Sequence, residues 1–278
     1  MPAIAQLSDP PQVSHPPASP SVRATVVRGR RIVYEIVGAG DPTIVLIHGA
    51  FCHRGYYAGQ VEHLSRRHRV LTIDLPGHGE SATPESGFGV RDFAEDVIGV
   101  CEAAGVTLAV LCGHSMPVAL EVATLRPDLA AGVVLLDGVV LFPEPVRQGA
   151  LAALLPGLEG EGWVRALQSF FRATFGPHDA ASVTARVMED LARAPRQMAV
   201  PFFRDLMASD SAAELSAGTC PLLYIHAETP TDLERLRRLR PDVLVGRVAG
   251  SGHYLTLQVP EQVNAMLDRF LEIIGSRP

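Results

Sequence analysis

Five short runs of this chain are largely apolar on both strand faces: 43–47, 70–74, 108–112, 132–136 and 222–226. A strand that needs cover on both sides belongs to the interior of a parallel sheet, not to an antiparallel sheet wetted on one face. Helical periodicity fills 56–66, 91–104 and 118–125 between these runs. A helix at 232–239, a strand at 243–248 and an amphipathic helix at 261–274 follow the fifth run. Residues 23–37 read as a β-hairpin turned at Arg28-Gly29. The expected fold class is α/β, a mostly parallel central sheet with helices on both faces.

The alternation breaks once, over 139–218. Prolines 143, 145, 156, 177, 195 and 201 punctuate this stretch into four expected helices. It holds six of the ten phenylalanines and the only tryptophan, Trp163. A helical insertion after the strand ending near Leu136 would lie over the C-terminal edge of the sheet as a cap, most of its aromatics packing its own core and two or three facing a pocket. The expected organisation is a Pro-rich disordered tail at 1–22, a core from 23–138 and 219–278, and a cap at 139–218.

Every candidate for chemistry falls just past a strand, where parallel sheets open their crevices. The segment Gly113-His114-Ser115-Met116-Pro117 turns sharply from strand into helix. A serine at such a tip is exposed above the sheet edge, and the Met116 amide near the helix start can face an oxyanion. Pro117 stands where a second glycine is usual, which is tolerable because no helical N–H is lost there. The plain alternative is a strand-to-helix turn with an idle serine. A serine needs a base, and His253 in Gly250-Ser251-Gly252-His253 is the best placed of ten histidines. The imidazole in turn needs a carboxylate. Asp137, directly after the apolar run 132–136, is preferred, because a carboxylate there is costly without a partner. Glu228, after 222–226, is the alternative. Phe51, His114 and Trp163 are candidate substrate contacts.

Together His48-Gly49, Asp74-x-x-Gly77-x-Gly79-x-Ser81, the elbow at Ser115 and Gly252-His253 resemble the α/β-hydrolase fold superfamily across residues 23–278. The resemblance implies a serine esterase-type catalytic triad with an oxyanion hole from the amides of Ala50 and Met116, and a bracing role for His48. Thr229-Pro230-Thr231-Asp232 with Asp137 is locally similar to the zearalenone lactone hydrolases, which also carry the triad acid after the earlier strand. The expected activity is hydrolysis of a carboxylic ester or lactone of an apolar or aromatic small molecule through an acyl-enzyme. Carbon–carbon bond hydrolysis, cofactor-free oxygenation and small-molecule reception are alternatives on the same fold. An aspartate nucleophile would be needed for epoxide or haloalkane chemistry.

A net charge of −6 speaks against nucleic acid as a partner. All 24 basic side chains are arginine, which excludes lysine Schiff-base chemistry and fits a GC-rich bacterial genome. No zinc-helix spacing or dinucleotide loop occurs, so no metal and no cofactor is expected. Cys52, Cys101, Cys112 and Cys220 are scattered, which suits reduced thiols and a cytoplasmic protein, either monomer or homodimer, and no apolar run is long enough for membrane insertion.

Overall fold

Eight strands form one sheet in the computed structural model, which describes residues 21–208 and 210–276. They are β1 (Ser21–Val27), β2 (Arg30–Val37), β3 (Thr43–Ile47), β4 (Val70–Asp74), β5 (Ala109–His114), β6 (Ala130–Leu136), β7 (Leu222–His226) and β8 (Leu244–Arg247). Their order is β1-β2-β4-β3-β5-β6-β7-β8. β2 pairs antiparallel with both β1 and β4, and every pairing from β4 to β8 is parallel.

The period of two explains why the inner strands are apolar throughout. Ile44 and Leu46 of β3 join one buried cluster, with Val110, Val134 and Ile225 from neighbouring strands. Val45 and Ile47 point the other way, into a second cluster with Leu71, Leu111 and Val133. Full burial of each such side chain is worth roughly 1.5–3 kcal/mol, which makes both helical layers obligatory. On the first face lie α1 (Ala58–Leu64), α10 (Leu255–Gln258) and α11 (Pro260–Gly275). On the second lie α2 (Val90–Ala103), α3 (Val118–Leu125) and α9 (Leu233–Leu239).

Between β6 and β7 come α4 (Glu144–Glu159), α5 (Trp163–Arg172), α6 (Ala181–Ala192), α7 (Arg196–Ala208) and α8 (Ala212–Ala217). These are five helices where proline spacing implied four. Pro156 and Pro201 lie inside α4 and α7 and end neither. An internal proline costs about 3 kcal/mol. Here the apolar faces carrying Leu154 and Leu158, and Phe202, Phe203 and Leu206, are buried and hold each helix through the interruption. Ser21 and Val22, expected to belong to a tail over 1–22, pair in β1 instead; residues 1–20 lie outside those described. No helix among the described residues is long and apolar enough to cross a membrane.

β4 and β5 flank β3 on opposite sides. The chain therefore leaves the C-terminal ends of β3 and β5 in opposite directions, opening a crevice between them.

Candidate active site

Ser115 sits at that crevice. β5 ends at His114, and Ser115 adopts φ +65°, a left-handed conformation unfavourable for a residue with a side chain. Tertiary hydrogen bonds hold it there: Ser115 N–H donates to Leu136 O at 3.0 Å, and Val139 N–H donates to Ser115 O at 2.7 Å. The strained turn is thus clamped by β6 and the loop after it. The side chain is 6% exposed and borders a cavity of about 250 Å³.

The loop after β3 lies against this turn. A Cβ on Gly49 would stand 2.7 Å from His114 Nδ1 and 3.0 Å from Ser115 Cβ, so only glycine permits the approach. Two neutral histidines brace the loop. His48 donates from Nδ1 to Gly49 O at 2.8 Å and accepts the Leu75 amide on Nε2 at 3.0 Å. His78 donates from Nδ1 to Pro76 O at 3.0 Å and accepts the Phe51 amide on Nε2 at 2.9 Å. These roles require one free nitrogen on each ring. Burial holds both rings below the ordinary histidine range, His78 at about 4. Ala50 faces the cavity, and its amide bonds to no other group among the described residues. The Met116 amide instead bends back to His114 O at 2.7 Å.

The neutral His78 makes stability pH-dependent. The unfolded side chain takes up a proton near 6.5, the folded one only near 4. The unfolded state therefore binds more protons in that window, and stability present above pH 6.5 is lost as pH falls toward 4. Replacing His78 by glutamine, which can still accept the Phe51 amide, should flatten the fall in unfolding free energy from urea titrations between pH 6.5 and 4.5 by up to about 1.4 kcal/mol per pH unit. An unchanged slope would mean that the ring is already charged when folded.

His253 Nδ1 lies 2.7 Å from Asp137 Oδ2, with the imidazole 6% and the carboxylate 0% exposed. Asp137 directly follows β6, at φ +48°. The turn after β7 supplies the rest of its partners. Ala227 N–H donates to Oδ1 at 2.7 Å, Thr229 N–H to Oδ1 at 3.3 Å, and the Thr229 hydroxyl to Oδ2 at 2.5 Å. Burial raises the carboxyl's pKa, but the His253 hydrogen bond and charge, with the Thr229 and Ala227 donors, outweigh it and hold the group down at about 2. Glu228 is 61% exposed, pairs with Arg247 at 3.6 Å and makes no hydrogen bond to His253 among the described residues. Of the two carboxylates suggested by the sequence, the one bonded to His253 is Asp137.

The insertion between β6 and β7 holds the histidine loop. His253 N–H donates to Thr174 O at 2.9 Å, and Gly252 N–H donates to Asp179 Oδ1 at 3.0 Å. His114 donates from Nε2 to His253 O at 2.9 Å, and burial followed by the nearby His253 lowers its pKa to about 3. The Ser115 hydroxyl makes no hydrogen bond to His253 among the described residues; both side chains border the same cavity.

The three expected substrate contacts are placed elsewhere. Phe51 is buried against Phe171, Phe202 and Phe203 and borders a separate polar groove of about 620 Å³. His114 is spent on the His253 carbonyl behind the serine. Trp163, the first residue of α5, packs against the core away from the cavity lining. Five phenylalanines of the 139–218 insertion line the cavity instead: Phe142, Phe170, Phe171, Phe202 and Phe203. The 139–218 composition signalled an aromatic insertion but not which rings turn inward, because that depends on how segments distant in sequence pack, as Phe170 does against Phe203. Thr229, Thr174 and Asp179 went unread as site residues, since each acts through a partner distant in sequence.

The eight-stranded order, the elbow and the hydrogen-bonded His–Asp pair can be set against known proteins. A family model described as the alpha/beta hydrolase family matches residues 44–266, most of the chain. The protein belongs to the alpha/beta hydrolase family. A 2-(acetamidomethylene)succinate hydrolase of Mesorhizobium japonicum is 25% identical over 261 residues, covering 84% of this chain and 89% of its own. A thermophilic esterase from Thermogutta terrifontis superimposes with TM-score 0.78 at 22% identity, covering 92% of this chain and 99% of its own. The enol-lactonase from Burkholderia xenovorans does so with TM-score 0.77 at 19% identity, covering 90% and 100%. At these identities the two solved structures establish the shared fold, and the family match extends it across the site-bearing strands.

Proposed function

We propose that this alpha/beta hydrolase is a serine hydrolase of compact, neutral carboxylic esters or lactones. The observation that carries the reading is the 2.7 Å bond from His253 to the buried Asp137, at a cavity that Ser115 also borders. In this mechanism Ser115 Oγ attacks the substrate carbonyl and its proton passes to His253 Nε2. Asp137 keeps the Nδ1 proton in place and stabilises the imidazolium. The oxyanion meets the unengaged Ala50 amide and the Met116 amide, which shares its hydrogen with His114 O. The imidazolium then protonates the leaving alcohol. A water, deprotonated by the same ring, releases the acyl group from Ser115.

The lining supports the substrate class. A cavity of about 250 Å³ falls just below the usual range of roughly 300–1,000 Å³ for small-molecule sites, so the bound group is small. Phenylalanines dominate the walls, no arginine lines them, and Glu228 is the one carboxylate among the lining residues. An acyl group bearing its own carboxylate would be desolvated there without a cation to receive it. The succinate named for the Mesorhizobium relative carries carboxylates, and this cavity offers them no cation.

A panel of 4-nitrophenyl esters tests this. Neutral acetate, butyrate and benzoate esters should turn over with kcat/KM about 100-fold above the hemisuccinate ester, the scale of one uncompensated buried charge. Equal rates, or preference for the hemisuccinate, would contradict the assigned substrate class.

A further inference from the structure

In Ala227-Glu228-Thr229-Pro230, proline biases the backbone before it toward an extended conformation. Thr229, branched at Cβ, has few rotamers to choose from. Its hydroxyl is thereby held between two buried groups, 2.5 Å from Asp137 Oδ2 and 3.1 Å from His253 Nδ1. With the 2.7 Å Asp137–His253 bond these atoms close a triangle. The other carboxylate oxygen is occupied by the Ala227 and Thr229 amides.

Proton counting assigns the roles. An ionised carboxylate only accepts, so the single hydroxyl proton of Thr229 goes to Asp137 Oδ2. The threonine oxygen then offers its lone pairs to His253 Nδ1. That nitrogen must carry hydrogen, which points at Asp137 Oδ2 with Thr229 Oγ1 as a second, longer acceptor. The alternative tautomer, with hydrogen on Nε2, would turn a bare Nδ1 toward two oxygens. It would also leave no lone pair to receive the Ser115 proton.

We infer that Thr229 is a positioning residue of this site: it fixes the Nδ1–H tautomer and the plane of His253 through Asp137. The inference rests on the serine-hydrolase reading for its effect on rate, but its geometry can be tested without turnover. It also suits the placement of the acid directly after β6. The turn after β7 provides three donors to that carboxylate.

The test uses the full chain with Thr229→Val, which is isosteric and lacks the hydroxyl, and Thr229→Ser, which keeps it. Two readouts are compared at equal folded fraction, checked by urea midpoint: kcat and KM on a neutral 4-nitrophenyl ester, and the low-field proton resonance of His253 Nδ1–H. The valine variant should lose about tenfold in kcat with KM unchanged, and the serine variant should stay within about twofold of wild type. With valine the resonance should move downfield, because Asp137 Oδ2 has lost its competing donor; with serine it should stay. If valine fails to fold, Thr229→Ala gives the same comparison against serine. An unmoved resonance in the hydroxyl-free variant overturns the inference even in an active esterase, as does a serine variant as impaired as valine. A resonance that moves as expected in a chain that hydrolyses no ester upholds the positioning role and contradicts only the serine-hydrolase reading.

Discussion

Replacing Ser115 by alanine is expected to lower kcat for neutral esters by roughly 10⁵- to 10⁶-fold, leaving the residual rate that binding and oxyanion donors sustain without a nucleophile. The substitution is structurally mild. The backbone bonds that clamp the turn, Ser115 N–H to Leu136 O and Val139 N–H to Ser115 O, involve no side-chain atom, so alanine keeps both. The φ of +65° stays as unfavourable for alanine as for serine. Fold and cavity should therefore survive, and the rate loss is chemical. Measuring kcat beside the urea midpoint separates the two. A loss below tenfold would point to the His253–Asp137 pair acting as a base on water or substrate with no covalent step.

Replacing Asp137 by asparagine should lower kcat by about 10⁴-fold, while Glu228→Gln changes it less than about twofold on the same esters. The asymmetry follows from surroundings. Asp137 is fully buried and accepts from His253, Thr229 and two backbone amides. An asparagine has one acceptor oxygen for these donors. Wherever its NH₂ group lies, an N–H faces another donor, and if it faces His253 it favours the tautomer with hydrogen on Nε2. The variant should also be less stable, since each carboxylate oxygen serves two donors and at least one of the two facing the NH₂ group loses its acceptor, at a cost of about 1–3 kcal/mol each. Glu228 is exposed and spends its charge on Arg247 at the surface. A large loss in Glu228→Gln with little in Asp137→Asn would reverse the assignment of the acid.

How far the sequence carries these conclusions depends on the range of the interactions involved. The inner strands are legible because both-face burial writes itself into consecutive residues: β3, β4 and β7 have the bounds their apolar runs imply. α3 likewise occupies the expected 118–125. Asp137 was a visible anomaly, a carboxylate closing an apolar run, and burial makes such an anomaly expensive unless partnered. The 139–218 insertion was less legible. Pro156 and Pro201 read as breaks, yet tertiary packing of α4 and α7 outweighs the missing hydrogen bonds. Trp163 was conspicuous for its rarity, and rarity carries no information about which way a ring faces. Thr229 stood out only as part of a locally similar run, and Asp179 not at all, because their partners, Asp137 and the Gly252 amide, lie 92 and 73 residues away.

The most direct measurement of the central claim is the mass of the tryptic peptide containing Ser115 after treatment with an ethyl fluorophosphonate. A phosphonyl group transfers to an activated serine and mimics the tetrahedral intermediate. One adduct per chain is expected, located on Ser115 and formed in step with loss of esterase activity. That adduct should be missing in Ser115→Ala and form far more slowly in Asp137→Asn. Full ester turnover with no adduct on Ser115, or an adduct on another residue that abolishes activity, would contradict the central claim.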